Sequence, residues 1–160
     1  ISKTKVNAED LAGMYNMADV TINISDAEGF GLGTLESLAC GTPIIVTMTG
    51  GMQDQVTDGE NWYGIGLEPV SKAIIGSQDV PFIYEDRLSE EQVVDALTQM
   101  YTMSTEERTA WGEQCRDWAL RGFNFDTFVE TWDDLFTNIY ETHGSWATRT
   151  GYEKYTVKEL

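Results

Sequence analysis

Apolar positions along the first half of the chain switch repeatedly between helical and extended spacing, and each switch marks an element. Leu11, Met14, Tyr15 and Ala18 recur at helical spacing behind Asn7-Ala-Glu-Asp10, a stretch that offers a side-chain cap. Val20-Thr-Ile-Asn-Ile24 alternates β-branched apolar with polar residues and predicts a strand. Leu35, Leu38 and Ala39 return to one helical face, and Gly41 with Pro43 stops that helix near Cys40. Pro43-Ile-Ile-Val-Thr47 is a short continuous apolar run, the pattern of a strand covered on both faces. Two strands joined through a helix predict a right-handed βαβ unit, paired in parallel, with residues 32–40 as the crossing helix. Beyond Gly50-Gly51, residues 52–56 suit one or two helical turns, Asp58-Gly59-Glu60-Asn61 is turn chemistry, and residues 63–67 predict a third parallel strand.

The pattern then loses its regularity. Ala73-Ile-Ile75 and Val80-Pro-Phe-Ile-Tyr84, around Gly76-Ser77, fit either a hairpin or an extended loop. Three helices close the chain. Ser89-Glu-Glu-Gln92 is a capping box ahead of Val93, Val94, Leu97 and Tyr101. Ser104-Thr-Glu-Glu107 caps a second helix with Trp111, Cys115 and Trp118. Asp126 is expected to cap a third, with Phe128, Trp132, Leu135, Phe136 and Ile139 on its apolar face. Periodicity fades from His143, so one domain is expected over residues 1–142 and a tail over 143–160.

Length and composition support that reading. A chain of 160 residues with 41% hydrophobic and 11% aromatic content can bury a core and is not disordered. A formal net charge of −17 argues against nucleic acid or an anionic membrane surface as partner; otherwise it indicates solubility or a salty setting. Cys40 and Cys115 both fall among apolar helical positions, so small core residues are expected rather than a disulfide. With no apolar run of membrane-spanning length and no signal peptide, the expected location is cytoplasmic. A start at Ile1 that runs straight into helix-like sequence suggests a fragment.

The candidate chemistry lies in Ser25-Asp-Ala-Glu-Gly-Phe-Gly-Leu-Gly-Thr-Leu-Glu36. A strand, a glycine turn and a helix N-terminus leave free backbone N–H groups and the positive end of a helix dipole facing one point, which suits an anion. Glu28 and Glu36 flank the turn and can accept hydrogen bonds from hydroxyls. A ligand that carries both phosphates and hydroxyls is a sugar nucleotide. The turn misses the dinucleotide fingerprint, because its third glycine falls one residue early and the next strand ends Val46-Thr-Met-Thr49 without an acidic residue. The glutamates are also too separated for a close acid–base pair; they suit opposite ends of one ligand. The plain alternative is that Glu28 only caps the helix and Glu36 is solvated surface.

Tyr15-Asn-Met-Ala-Asp-Val20, Ser25, Glu28-Gly-Phe-Gly-Leu32, Leu35-Glu36, Ala39-Cys-Gly-Thr-Pro-Ile44 and Gly50-Gly51 together resemble the group 1 retaining glycosyltransferases. Their signature is two glutamates separated by seven residues in the C-terminal half of a GT-B fold, and the likeness is dense over roughly residues 7 to 66. The resemblance implies an α/β, Rossmann-like parallel sheet with flanking helices. It also implies a partial C-terminal half, since the family's basic phosphate-gripping residues and acceptor-binding N-terminal half lie upstream of this motif.

The resemblance further implies that Glu28 is catalytic, accepting hydrogen bonds from the transferred sugar. Backbone N–H groups of Gly29, Phe30, Gly31 and Leu32 would line the sugar and distal phosphate. Thr34 and Leu35 would contact the diphosphate, and Glu36 the ribose hydroxyls. The partners implied are a nucleotide sugar, an unidentified glycan, lipid or protein acceptor, and the N-terminal half of the enzyme. No metal or other cofactor is implied. A sugar-nucleotide epimerase on the same fold and a non-catalytic nucleotide- or protein-binding module remain open. His143, the single histidine, reads as surface, Trp111, Trp118 and Trp132 as packing, and Asp133-Asp134 as a solvated face.

Overall fold

Residues 5–149 are described by a computed structural model. Its first half runs α1 (Ala8–Asn16), β1 (Thr21–Asn23), α2 (Leu32–Ala39), β2 (Ile44–Thr47), α3 (Met52–Val56) and β3 (Gly64–Leu67). There follow β4 (Ser71–Ile75), β5 (Ile83–Arg87), α4 (Glu90–Thr102), α5 (Thr105–Gly122) and α6 (Phe125–His143). The chain divides into two compact units between Gly122 and Phe123, a break that the helical periodicity continuing through residues 125–140 does not announce.

In the first unit β1, β2 and β3 form one parallel sheet in that order, with Thr21 opposite Ile44 and Ile44 opposite Gly64. The expected strand–helix–strand unit is therefore present, each outer strand one or two residues shorter than the apolar pattern predicts. β2 is buried at every position, as its unbroken apolar run requires. Because strand side chains alternate, Ile44 and Val46 enter one core with Leu38, Met52, Val56 and Cys115, from α2, α3 and α5, and with Tyr63, just before β3. Ile45 enters a second core with Leu67, Ala96 and Met100, on the side of α4. Helices thus cover both faces of the sheet.

α5 is tied to α3 and to the segment that enters β3 by polar contacts as well as packing. Trp111 Nε1 donates to the Trp62 carbonyl at 2.8 Å and Trp118 Nε1 to the Gln55 carbonyl at 2.9 Å. The Trp118 ring stacks on Tyr63 at 4.9 Å between centroids. Cys115 Sγ donates to the Tyr63 carbonyl at 3.0 Å, and burial pushes that thiol up to about 12. Since only the thiolate reacts readily, a thiol-specific aromatic disulfide reagent at pH 8 should leave Cys115 unmodified until denaturant is added. Prompt reaction of both Cys40 and Cys115 in the native protein would contradict the packing of α5.

Local signals set the helix starts. The Asn7 side chain accepts from the Asp10 N–H at 2.8 Å, and Ser89 and Gln92 complete a reciprocal box at the head of α4. Ser104 and Glu107 do the same before α5. The irregular stretch after β3 resolves into a hairpin, with β4 and β5 antiparallel and Ile75 opposite Ile83. Its apolar side chains stay exposed, Ile74 at 64% and Phe82 at 73%.

In the second unit α6 is capped by Asn124 and not by Asp126. The Asn124 carboxamide oxygen accepts from the Asp126 and Thr127 N–H groups, which places Asp126 inside the first turn, where its charge suits the helix dipole. Trp132 packs against Phe128 and Phe136 along the helix and keeps 43% of its surface exposed. His143, Asp133 and Asp134 are exposed, as expected. No helix among the described residues is long and apolar enough to cross a membrane.

Candidate functional site

The segment from Ile24 to Gly31 leaves the carboxyl end of β1, where parallel α/β sheets open toward ligands. Asn23 starts the turn, its Oδ1 accepting from the Ser25 hydroxyl at 2.6 Å and the Ser25 N–H at 3.2 Å. Gly31 then adopts φ 84° and ψ 58° as the residue before α2, a left-handed conformation that favours glycine. A β-carbon there would also meet Thr34 Oγ1 at 2.7 Å and Met52 Cγ at 2.8 Å. The Gly31 carbonyl takes the Thr34 and Leu35 N–H groups, both at 3.2 Å. The N–H groups of Leu32 and Gly33 have no intrahelical acceptor, so the helix begins with donors available to an anion.

A second layer holds this turn. Gln55 is fully buried on α3; its Nε2 donates to the Phe30 carbonyl at 2.6 Å. The Thr34 hydroxyl lies 2.5 Å from Gln55 Oε1 and 2.6 Å from the Gly31 carbonyl, and its single proton serves one of these at a time. The Gly51 N–H donates to the Gly29 carbonyl at 2.8 Å. Gly50 lies so close to the Glu28 carbonyl that a β-carbon would overlap it. The loop after β2 therefore presses directly on the glutamate-bearing loop after β1.

The hairpin supplies a third support. The Asp86 N–H donates to the Asp26 carbonyl at 2.7 Å, and Arg87 Nη1 pairs with the Asp26 carboxylate at 2.6 Å. Arg87 also pairs with Glu85 at 2.5 Å, so its charge is shared between Asp26 and Glu85.

The expected site residues thus occupy one continuous segment with distinct surroundings. Glu28 is half-buried, and its Oε1 accepts from the adjacent Gly29 N–H at 3.0 Å. It does not cap α2, whose first flanking residue is Gly31 with no side-chain cap. Glu36 is exposed but not merely solvated, since Tyr15 donates its hydroxyl to Glu36 Oε2 at 3.0 Å. Gly29, Phe30 and Leu32 are exposed at the turn. Thr34 is 1% exposed with its hydroxyl engaged internally, and Leu35 packs against the first core. These two shape the turn through their side chains and close it through their N–H groups.

Sequence reading passed over Tyr15, Gln55 and Asp26 as site residues. Gln55 had no local signal, being a polar residue in a short helix. Tyr15 was legible as a helical apolar position and as part of the family-like stretch, and neither pattern gives its hydroxyl a partner. Among the described residues, no group of three or more His, Cys, Asp or Glu side chains comes together as a metal site.

A parallel α/β sheet with a glycine turn, two flanking glutamates and a helix N-terminus at its carboxyl edge defines a class, and the comparisons agree with it. The chain belongs to the family described as glycosyl transferases group 1, whose model matches residues 3–118. The D-inositol 3-phosphate glycosyltransferase of Arthrobacter sp. (strain FB24) is 48% identical over 54 residues, 34% of this chain and 13% of that protein. The protein of the same name from Geodermatophilus obscurus is 34% identical over 115 residues, 66% of this chain and 26% of that protein. The chain therefore spans about a quarter or less of the length of these relatives. The solved sucrose-phosphate synthase of Thermosynechococcus elongatus superposes with a TM-score of 0.64 at 23% identity, covering 86% of this chain and 29% of that one. That likeness concerns the fold, which is the GT-B α/β fold expected from the motif.

Proposed function

We propose that this chain forms the donor-binding part of a retaining glycosyltransferase that moves a hexose from a nucleotide sugar to an acceptor. The observation that carries the reading is the braced glycine turn between Glu28 and Glu36, with unpaired N–H donors at the head of α2 between them. The Leu32 and Gly33 N–H groups, with the dipole of α2, would hold the diphosphate. Glu36, one to two turns further on, would accept from the ribose hydroxyls, and Glu28, before the turn, from the transferred sugar. Gly29, Phe30 and Gly31 would line the sugar and distal phosphate, with Thr34 and Leu35 setting the helix end beneath them.

In this reading the reaction is driven chiefly by stabilising charge on the departing diphosphate, with donors already in place before the bond breaks. The acceptor attacks on the face from which the diphosphate leaves, so anomeric configuration is retained. The acceptor and further basic contacts to phosphate come from the other half of the enzyme, in a cytoplasmic setting. No metal or other cofactor takes part.

The test is to incubate the intact protein with UDP-, GDP- and ADP-hexoses and candidate acceptors, and to read the anomeric proton of the product by NMR. An α-linked donor is expected to give an α-linked product with release of nucleoside diphosphate. A β-linked product would overturn the retaining assignment. The 160-residue chain alone is expected to transfer no sugar, and measurable transfer by it would place the acceptor site within these residues.

A further inference from the structure

Glu36 is an exposed carboxylate on the first turns of α2, free by its position to sample several rotamers, yet one of its oxygens is held. The holder is Tyr15, which lies 21 positions earlier on α1 and donates its hydroxyl to Glu36 Oε2 at 3.0 Å. Tyr15 is itself fixed to the end of the α2 segment. Its carbonyl accepts from Thr42 Oγ1 at 2.9 Å and from the Ala18 N–H at 3.0 Å. Thr42 is 3% exposed, and its own carbonyl accepts from Ser37 Oγ, one residue beyond Glu36, at 3.0 Å. The phenol and the carboxylate are therefore attached to the same small framework, and their separation does not depend on a mobile loop.

The chemistry of the pair is matched to a diol. An ionised carboxylate offers about four acceptor positions, and the tyrosine consumes one of them. Oε1 and the second lone pair of Oε2 remain for two neighbouring hydroxyls. Burial, and then the hydrogen bond to Glu36, raise the Tyr15 hydroxyl to about 12, so it stays a proton donor at any working pH. A carboxylate held in one rotamer loses less freedom when a ligand arrives, which favours binding.

We infer that Tyr15 is a positioning residue for donor recognition: it fixes the Glu36 carboxylate so that both of its oxygens are presented to the vicinal hydroxyls of a nucleoside diphosphate's ribose. The inference rests on the donor-binding reading given above and adds to it a residue outside the two-glutamate motif. Tyr15 acts through Glu36 and touches no substrate. Its removal should therefore change how well the site tells ribose from deoxyribose, and should not change the fold.

The experiment is calorimetry on the intact protein with UDP, GDP and ADP, continued with the tightest of these and its 2′-deoxy counterpart. Tyr15→Phe, which removes only the hydroxyl, is expected to weaken the ribonucleotide three- to tenfold and the deoxynucleotide less, so their affinity ratio falls. Glu36→Gln should lower that ratio further, and adding Tyr15→Phe to Glu36→Gln should cost nothing more, because the two groups act as one unit. An unchanged ratio in Tyr15→Phe beside a lowered ratio in Glu36→Gln would overturn the inference and leave the donor reading standing. Equal weakening of both nucleotides by Tyr15→Phe, with a lower melting midpoint, would make Tyr15 a structural residue and also overturn it. If Glu36→Gln left both nucleotides unaffected, the donor reading itself would fall.

Discussion

Alanine at position 36 is expected to weaken the bare nucleoside diphosphate by roughly 1.5–3 kcal/mol, one to two orders of magnitude in affinity, the usual cost of losing a charged hydrogen-bond acceptor. Alanine at position 28 is expected to leave that affinity nearly unchanged. It should instead lower kcat with the intact donor by about 10²–10³-fold, because its proposed contact is to the group being transferred. The split follows from where the two carboxylates stand. Glu28 lies before the left-handed Gly31, half-buried at the exit of β1, while Glu36 lies beyond the glycine turn on α2. Calorimetry with the nucleotide alone, beside steady-state kinetics with the sugar nucleotide, separates them. Equal weakening of the bare nucleotide by both substitutions would refute the assignment to opposite ends. No effect from either would mean that these carboxylates are not ligand contacts.

The largest stability effect is expected from Gly50→Ala. Gly50 has φ +52°, and a β-carbon there would run into the backbone carbonyl of Glu28, with the Gly29 carbonyl oxygen 2.9 Å away. No rotamer change relieves a clash with backbone, so the loops after β1 and β2 must separate. The left-handed conformation costs about 1–2 kcal/mol for a non-glycine residue and the overpacking a further ~1–3 kcal/mol. A loss of about 2–5 kcal/mol should appear as a lower denaturation midpoint in urea, with reduced turnover in whatever fraction folds. Gly29→Ala is the control on the same loop: a β-carbon there meets nothing within 4 Å, and a change within about 0.5–1 kcal/mol is expected. Equal destabilisation by both would show that the close approach of the two loops is not what Gly50 serves.

These two predictions draw on different layers of information. The glutamates were legible in the sequence because their chemistry is local: a strand, a glycine turn and a helix start occupy consecutive residues, and each has its own pattern. The demand for glycine at position 50 was not, because it arises from a partner 22 positions away. The hairpin shows the same limit. Residues 71–87 carry β-branched residues and a Gly-Ser pair, enough to suggest pairing, but the pairing was decided by the cross-strand register. The cap of α6 shows it on a smaller scale, since Asn124 and Asp126 both have capping side chains and only backbone geometry chose between them.

What the sequence determined by itself is the order and type of the elements around the site. The unbroken apolar run of β2 required cover on both faces, and that in turn required a parallel sheet joined through helices. The spacing of Glu28 and Glu36 across a glycine turn was equally plain. What only the tertiary structure decided is how that turn is held. Gln55 binding Phe30, Gly50 against Glu28, Asp26 pairing with Arg87 and Tyr15 donating to Glu36 all join segments that are far apart in the chain. Periodicity records which face of an element is buried, because burial is an average over that element's own side chains. A hydrogen bond between two particular side chains needs a match within a few tenths of an ångström, and that is set by how helices and strands pack, which no local pattern encodes.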